Sequence, residues 1–339
     1  MAVQNRAGRE ILGALLVSLV AVTALPGVPS ASAAAKCNGH AELCARRYDE
    51  VAYAATHNSM NTVADGFASP DQERSIADQL AGGIRAFLID VYRATPGTGI
   101  VCTDPTPLKV AQVRRERGQA AVDQLLEARD AEACPRPGGP TSDLYLCHGF
   151  CELGATRFDD ELAVIRTFLR ENPHDGVTLI LEDYASAEDI MKSVRAAGLE
   201  RQLVRHEAGR PWPTLAQMKK RGTRLVVFSQ NQGRAYPGLL DAFGEMNETP
   251  YTFHSAAELS CAPNRGPAKA RLFLMNHWVD TGDKREAAQA VNQYPVLDAR
   301  AQQCATERGH LPNFVAVDFA EDGDLLRVVD ALNGVEPAG

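Results

Sequence analysis

Short apolar runs recur along the chain, and each run ends in polar residues that can do chemistry. Seven such runs begin at positions 51, 84, 144, 177, 224, 271 and 313, and they read VAYAAT, IRAFLID, LYLC, VTLILE, RLVVFS, RLFLMN and NFVAVD. They are rich in Val, Ile, Leu and Phe without clean alternation, which is typical of strands that are buried on both faces. The pattern therefore predicts seven strands of a parallel sheet.

Segments with helical periodicity lie between these runs. In the clearest, RFDDELAVIRTFLREN, five apolar residues share one stripe: Phe158, Leu162, Ile165, Phe168 and Leu169. The pair Asn172-Pro173 ends this helix, because the residue before a proline is pushed out of the helical region. Four shorter segments are also predicted helices, several of them closed by glycine: QERSIADQLAGG, AEDIMKSVRAAG, TLAQMKKRG and DLLRVVDALNG.

The alternation of strands and helices predicts an α/β fold. Seven strands with polar C-terminal ends fit a distorted (β/α)8 barrel of the TIM type with parallel strands, whose active site lies at those ends. An open doubly wound sheet is the alternative, but it would gather functional residues at one switch point. No GxGxxG motif follows a strand, which disfavours the nucleotide-binding version of that alternative.

The first 35 residues have the plan of a secretory signal peptide. Arg6 and Arg9 precede the apolar run ILGALLVSLVAVTAL, and small residues follow up to a cleavage position after Ala33. A membrane anchor is the alternative, but a spanning helix needs roughly 20 apolar residues. We expect residues 1–35 to be the signal peptide, residues 36–339 to form one domain, and the protein to be secreted.

Eight cysteines in an exported chain indicate disulfides, and their spacing does not match a zinc site. Proximity along the chain suggests two pairs, and the simplest remainder gives the other two: Cys37–Cys44, Cys147–Cys151, Cys102–Cys134 and Cys261–Cys304. We interpret the segment from Thr95 to Thr141 as an insertion that a disulfide links to the barrel.

The net charge is −8. That value argues against nucleic-acid binding, which requires a basic face, and against strong adhesion to anionic membranes. It leaves room for transient contact with a lipid surface. We expect a monomer.

Polar residues at the strand ends form a candidate site. In a barrel, His57 and His148 would open onto one mouth, where two imidazoles can serve as general base and general acid. Asn58, Asp90 and Glu182 would add oxygen ligands that suit Ca²⁺ or Mg²⁺ better than zinc.

Further residues near the strand ends have less specific roles. Arg93 and Asn231 are candidate substrate contacts, whereas Asn276 and His277 are either substrate contacts or a satisfied polar pair. Asp318 could orient another residue of the site. Arg85 lies on the strand face opposite Asp90, which favours a structural ion pair.

Four motifs in this order resemble the X region of phosphatidylinositol-specific phospholipase C: THNSM, GIRAFLIDVY, LYLCHGFCELG and IRTFLRENPHDGVTLILEDY. The segments PWPTLAQMKKRGTRLVVFSQN and LPNFVAVDF extend the resemblance over nearly all of residues 36–339. The resemblance implies that His57 deprotonates the inositol 2-hydroxyl and that His148 protonates the diacylglycerol leaving oxygen. It also implies that Asn58, Asp90 and Glu182 are calcium ligands, since calcium-independent members carry arginine at the position of Asp90.

Leu88 departs from the family pattern. The family usually has an acidic residue two positions before the aspartate, and period-2 geometry places Leu88 on the same face as Asp90. We therefore expect weakly bound Ca²⁺, with Mg²⁺ as the second choice, in a secreted phosphodiesterase that cleaves phosphatidylinositol or a related lipid. The alternatives are a non-catalytic barrel that binds a lipid or sugar phosphate, and a phosphodiesterase acting on glycerophosphodiesters or sphingomyelin.

Overall fold

The computed structural model describes residues 36–103 and 143–337, together with short stretches between residues 111 and 134. The strands are β1 Tyr53–Thr56, β2 Ala86–Pro96, β3 Val101–Thr103, β4 Asp143–Leu146, β5 Thr156–Arg157, β6 Val177–Tyr184, β7 Leu225–Ser229, β8 Leu239–Asp241, β9 Met246–Glu248, β10 Leu272–His277 and β11 Phe314–Val317. The helices are α1 Ile76–Ala81, α2 Phe158–Glu171, α3 Ala187–Ala196, α4 Leu215–Arg221, α5 Ala242–Glu245, α6 Lys284–Val291, α7 Tyr294–Arg308 and α8 Leu325–Asn333.

Eight strands pair in parallel in the order β8-β7-β6-β2-β1-β11-β10-β9. This ladder ends at β8 on one side and at β9 on the other, so the barrel is open between these two strands. The arrangement confirms the predicted α/β fold with a distorted barrel of parallel strands. It also places the C-terminal ends of neighbouring strands at one mouth.

The run LYLC is a strand, but the prediction that it belongs to the parallel set is wrong. Strand β2 continues beyond the barrel to Pro96, and its outer half pairs with β3 and β4 in antiparallel fashion. Strands β8 and β9 take the remaining parallel positions. Each has only three residues, which is too short to show a periodic signal.

The parallel strands are buried on both faces, as their apolar runs predict. In β11, Phe314 and Ala316 pack in the cluster that fills the barrel, whereas Val315 and Val317 pack in the cluster under the helices. Trp212 belongs to the inner cluster and packs against the ring of Tyr48 at a tilt of 34°.

All five predicted helices are present as α1, α2, α3, α4 and α8. Helix α2 buries Phe158, Leu162, Ile165 and Leu169 along one stripe. Helices α6 and α7 lacked a clear apolar stripe in the sequence and were not predicted. Arg85 pairs with Asp175 at 2.8 Å, which confirms its structural role.

The four expected disulfides are present: Cys37–Cys44, Cys102–Cys134, Cys147–Cys151 and Cys261–Cys304. The expected signal peptide and most of the expected insertion lie outside the described residues. Within the described part of the chain, no helix is both long enough and apolar enough to cross a membrane.

Candidate active site

A cavity of about 240 Å³ opens at the C-terminal ends of the parallel strands. Five residues expected from the sequence line it together with Leu88: His57, Asn58, Asp90, His148 and Glu182. They come from different parts of the chain: the parallel ladder brings four of them together, and the antiparallel pairing of β4 with β2 brings His148 to the same cavity. Leu88 and Asp90 share the cavity face, as the period-2 argument predicts.

His57 follows β1 directly, and Asp318 follows the neighbouring strand β11. The two strands pair with Thr56 beside Val317, so the next residue on each strand is also adjacent. The Nδ1 atom of His57 lies 2.8 Å from Oδ1 of the buried Asp318. A carboxylate can only accept, so Nδ1 carries the proton and Nε2 is left as the basic nitrogen.

Two features of the surroundings act on the His57 ring. Trp278 stacks flat against it, with ring centroids 3.7 Å apart and planes at 3°. Burial, the largest single effect, lowers the pKa of His57, but the charge and hydrogen bond of Asp318, together with the charge of Asp71, act in the opposite direction and outweigh it. The pKa of His57 therefore lies above its ordinary value.

His148 lies in the turn that follows β4 and is also backed by a carboxylate. Its Nδ1 atom lies 3.1 Å from Oδ2 of Asp90. The turn is closed by the disulfide between Cys147 and Cys151, and Gly149 adopts the positive φ of 81° that the turn requires. The backbone N–H of Cys151 donates to Oγ1 of Thr103 at 2.8 Å, which ties the turn to β3.

The two imidazoles face each other across the cavity, with centroids 6.4 Å apart and planes at 76°. Each has its Nδ1 atom held by a carboxylate, so Nε2 is the nitrogen left for a bound molecule; Nε2 of His148 also lies 3.5 Å from Nδ2 of Asn58. One imidazole can then accept a proton while the other donates one.

Three oxygen-bearing residues lie beside the imidazoles. Asp90 and Glu182 are direct neighbours in the pairing of β2 with β6. Asn58 is buried, and its Nδ2 atom donates to Asp71 at 2.8 Å. The amide carbonyl therefore points away from Asp71. The phenol of Tyr184 donates to Oε1 of Glu182. One amide oxygen and two carboxylates are hard ligands whose chemistry fits Ca²⁺ or Mg²⁺.

Asp183 does not join this set. It accepts hydrogen bonds from the Ser229 hydroxyl at 2.9 Å and from the backbone N–H of Asn231 at 3.1 Å. Its side chain thus points away from that of Glu182, as a regular strand requires, and it does not compensate for Leu88.

The opposite wall of the cavity is polar and was not expected from the sequence, apart from Asn276. Arg265 donates to the buried Glu248 and, at 2.9 Å, to Gln230 on the far side of the open barrel seam. The guanidinium lies 4.8 Å from the ring centroid of Tyr251. Asn276 lines the cavity and donates to Glu248 at 3.1 Å.

Comparison with known proteins agrees with this geometry. The sequence model of the family described as PI-PLC X 1 matches residues 139–333, which is more than half of the chain. The chain belongs to the PI-PLC X family. The matched range includes His148 and Glu182.

Individual relatives cover more of the chain. PI-PLC X domain-containing protein 1 of Arthroderma benhamiae is 26% identical over 352 residues, which is 96% of each chain. An uncharacterized secreted protein of the same organism is 25% identical over 331 residues, which is 88% of this chain and 64% of that protein. The phosphatidylinositol-specific phospholipase C of Listeria monocytogenes superposes with a TM-score of 0.51 at 16% identity, covering 86% of this chain and 97% of the other. That superposition shows a shared fold.

Three residues expected to contact substrate lie outside the cavity of this PI-PLC X protein. Arg93 is half-exposed and pairs with Asp189 at 2.6 Å. Asn231 donates to the backbone of Asp183 at 2.8 Å. His277 is fully buried because residues 276 and 277 point to opposite faces of β10.

His277 instead forms a satisfied polar pair, which was the alternative left open by its sequence. Its Nδ1 atom accepts from Arg300 at 2.9 Å, and its Nε2 atom donates to the carbonyl of Val291 at 3.0 Å. Burial, followed by the charge of Arg300, lowers its pKa to about 3. His277 is therefore neutral at ordinary pH and holds β10 against helices α6 and α7.

Sequence reasoning missed Trp278, Arg265 and Glu248. Trp278 follows β10 by one residue, so its place at a strand end was a usable signal. Glu248 lies on a strand of three residues, and Arg265 lies on the long connection to β10, so neither carried a periodic pattern.

Proposed function

We propose that this protein is a phosphodiesterase of the phospholipase C type that cleaves phosphatidylinositol or a related lipid. The observation that carries the proposal is the pair of facing imidazoles, His57 and His148, each backed by its own carboxylate. Membership of the PI-PLC X family supports the same reaction class.

In the proposed reaction, Nε2 of His57 takes the proton from the inositol 2-hydroxyl. The hydroxyl oxygen then attacks the phosphorus, and the bond from phosphorus to the lipid oxygen breaks. His148 gives its proton to that oxygen, which leaves as diacylglycerol, and a cyclic inositol phosphate remains. Asp318 keeps the proton of His57 on Nδ1 and stabilises the imidazolium that forms. Asp90 orients His148 in the same way.

A divalent cation fits the proposal. Asn58, Asp90 and Glu182 would hold Ca²⁺, with Mg²⁺ as the second choice, because all three line one cavity and carry hard oxygen atoms. When bound, such a cation supplies positive charge that offsets the charge developing on the phosphate. Leu88 removes one anionic ligand from this set, so weak binding is expected.

The opposite wall suits a headgroup rich in hydroxyls. Among the described lining residues, Arg265 is the permanently charged cation, and the carboxylate of Glu248 already balances its charge. Further phosphates on the headgroup would find little uncompensated positive charge there. Exposed Tyr184 and Tyr251 at the rim could touch a lipid surface transiently.

We further propose that residues 1–35 are a signal peptide and that residues 36–339 act as one secreted, monomeric domain. Four disulfides are consistent with an oxidising compartment. Nucleic acid is not a proposed partner, because the net charge is −8.

A non-catalytic binding barrel is the second candidate, and Leu88 beside Asp90 favours it. Other phosphodiester substrates, such as glycerophosphodiesters or sphingomyelin, remain within the enzyme class.

Product analysis on labelled phosphatidylinositol, with Ca²⁺ and with excess chelator, tests the proposal. His57→Ala and His148→Ala should each lower turnover by at least ~10², the usual scale for a lost general acid or base. His40→Ala is the matched control, because His40 also pairs with a carboxylate, Asp330, but does not line the cavity. Near wild-type turnover in either cavity variant would contradict the mechanism, and tight phosphatidylinositol binding without product would favour the binding barrel.

A further inference from the structure

Two polar residues between β1 and α1, Asp71 and Gln72, are almost completely buried, with exposed fractions of 1% and 0%. Neither lines the cavity. Burying a carboxylate and an amide costs free energy unless every polar atom finds a partner. The partners of these two residues are the segments that carry His57 and Asp318.

Asp71 contacts the residue that follows each member of the His57–Asp318 pair. Its carboxylate accepts from Nδ2 of Asn58 at 2.8 Å, and its backbone carbonyl accepts from the N–H of Phe319 at 2.8 Å. Both Asn58 and Phe319 adopt a left-handed backbone, with φ of 43° and 42°. Such a conformation costs on the order of 1–3 kcal/mol in a residue other than glycine and persists only where the surroundings impose it.

The carboxylate of Asp71 is itself held in place. It accepts from Nδ2 of Asn61 at 2.6 Å and pairs with Lys284 at the first turn of α6. Three side-chain donors, two from the turn after β1 and one from α6, thus converge on one carboxylate. This convergence fixes its position relative to Asn58.

Gln72 binds the backbone of the same two strand ends. Its Nε2 atom donates to the carbonyl of His57 at 2.8 Å and to the carbonyl of Val317 at 2.9 Å. Its Oε1 atom accepts from the N–H of Ala320 at 3.2 Å. One side chain therefore ties the end of β1 to the end of β11, directly beneath the 2.8 Å contact between His57 and Asp318.

We propose that Asp71 and Gln72 are positioning residues that hold the His57–Asp318 pair in its reactive geometry. The pair is contributed by two strands, so a relative shift of about 1 Å between the strand ends would take its 2.8 Å contact beyond hydrogen-bonding distance. A displacement of about 1 Å in a catalytic group can cost ~10² in rate. The catalytic consequence rests on the proposed function, whereas the positioning itself does not.

Asn313 provides a matched control for the loss of buried side-chain hydrogen bonds. Asn313 is also 0% exposed, and it ties the opposite, N-terminal ends of the strands. Its Oδ1 atom accepts from the N–H of Phe273, and its Nδ2 atom donates to the carbonyl of Val51, both at 3.0 Å. A substitution at Asn313 removes comparable bonds without touching the pair at the mouth.

The test compares Gln72→Met, Asp71→Asn and Asn313→Leu in the full-length protein. The first readout is tryptophan emission, because Trp278 stacks against the His57 ring at 3.7 Å and the chain has only two tryptophans. His57→Ala defines the change that occurs when the ring is gone. The second readout is the separate determination of kcat and KM on phosphatidylinositol.

Gln72→Met and Asp71→Asn should shift the emission in the direction of His57→Ala. They should also lower kcat by ~10-fold to ~10²-fold with little change in KM. Asn313→Leu should lower the melting temperature and leave emission and kcat near wild type. Asp71→Asn keeps the side-chain volume but removes a charge that raises the pKa of His57, so its kcat is compared on the pH plateau; with the emission shift, that comparison decides the matter if Gln72→Met does not fold.

Wild-type emission and kcat in both Gln72→Met and Asp71→Asn would overturn the proposal, as would equal losses in Asn313→Leu. If the wild-type protein shows no phosphodiesterase activity, the proposed function fails, but the emission comparison still decides whether these residues position His57.

Discussion

The carboxylate of Asp318 is the most informative group to remove, because its removal changes the pKa and the tautomer of His57 while the imidazole itself remains. Asp318 is 3% exposed, and its Oδ1 atom lies 2.8 Å from Nδ1 of His57. Asp318→Asn keeps the size of the side chain and removes its charge. The substitution also places an amide where only an acceptor stood, so the amide can turn its N–H₂ toward the imidazole.

The magnitude follows from the geometry. Two unit charges about 4 Å apart interact by about 4 kcal/mol at the effective dielectric constant of a site near the surface. One pKa unit corresponds to about 1.4 kcal/mol, so the carboxylate can outweigh the burial that lowers the pKa of His57. Without the Asp318 carboxylate, its charge no longer opposes the effect of burial, and the pKa of His57 should fall. An amide that stabilises the wrong tautomer costs ~10⁴ in turnover in the serine protease triad, so we expect a loss of ~10²–10⁴.

The assay is kcat/KM for phosphatidylinositol cleavage across pH. His57 must be neutral to accept a proton, so activity rises as pH increases through its pKa. In the wild type that pKa is raised, which places the acidic limb above the value for an ordinary histidine. In Asp318→Asn the limb should move to lower pH while the plateau falls.

Asp330→Asn provides the control, because Asp330 pairs with His40 at 3.0 Å away from the cavity. It should leave both the plateau and the acidic limb in place. A profile of Asp318→Asn that superimposes on the wild type, with turnover within twofold, would refute the role of the carboxylate.

Three further outcomes are expected. Replacing both Cys147 and Cys151 with serine should lower kcat clearly and the melting temperature only slightly. The small ring holds the turn of His148, but it contributes less to the free energy of unfolding than the ~2–4 kcal/mol of a long-loop disulfide. A large fall in melting temperature with kcat near wild type would contradict this. Leu88→Asp should tighten Ca²⁺ binding, measured by titration calorimetry, by adding an anionic oxygen on the cavity face; unchanged or weaker binding would count against the cation site. The pKa of His277 is lowered to about 3, so the unfolded state binds more protons below about pH 6.5 and the free energy of unfolding should decrease as pH falls from there toward 3. His277→Gln should flatten this dependence, and a slope equal to that of the wild type would show that His277 does not cause it.

Strand ends were the part of the site that the sequence predicted well. His57, Asn58, Asp90 and Glu182 each lie on or directly after a buried apolar run, and parallel pairing brings the ends of such runs together. His148 was also placed correctly, although its strand runs antiparallel to β2. The polar ending of the run identified the residue even where the strand direction was wrong.

Contacts that depend on loops could not be predicted in the same way. Arg265 lies 17 positions after Glu248, and no periodicity links them. His277 has the residue type and strand-end position of a site residue, yet it faces the outer layer because only alternate residues of β10 face the cavity. Its neighbour Asn276 lines the cavity, so a one-residue difference in register decides which of them can meet a ligand.

The two imidazoles are held by different means, and this difference explains where the disulfide lies. His57 and Asp318 are neighbours because β1 and β11 are paired strands of the barrel, so the ladder itself sets their spacing. His148 belongs to a turn outside the parallel ladder, and its carboxylate partner, Asp90, belongs to the barrel. The His148 turn lies between β4 and β5, which pair in antiparallel fashion, and a covalent ring between Cys147 and Cys151 closes the turn further. The barrel ladder therefore fixes one imidazole, whereas a hairpin and a disulfide together fix the other.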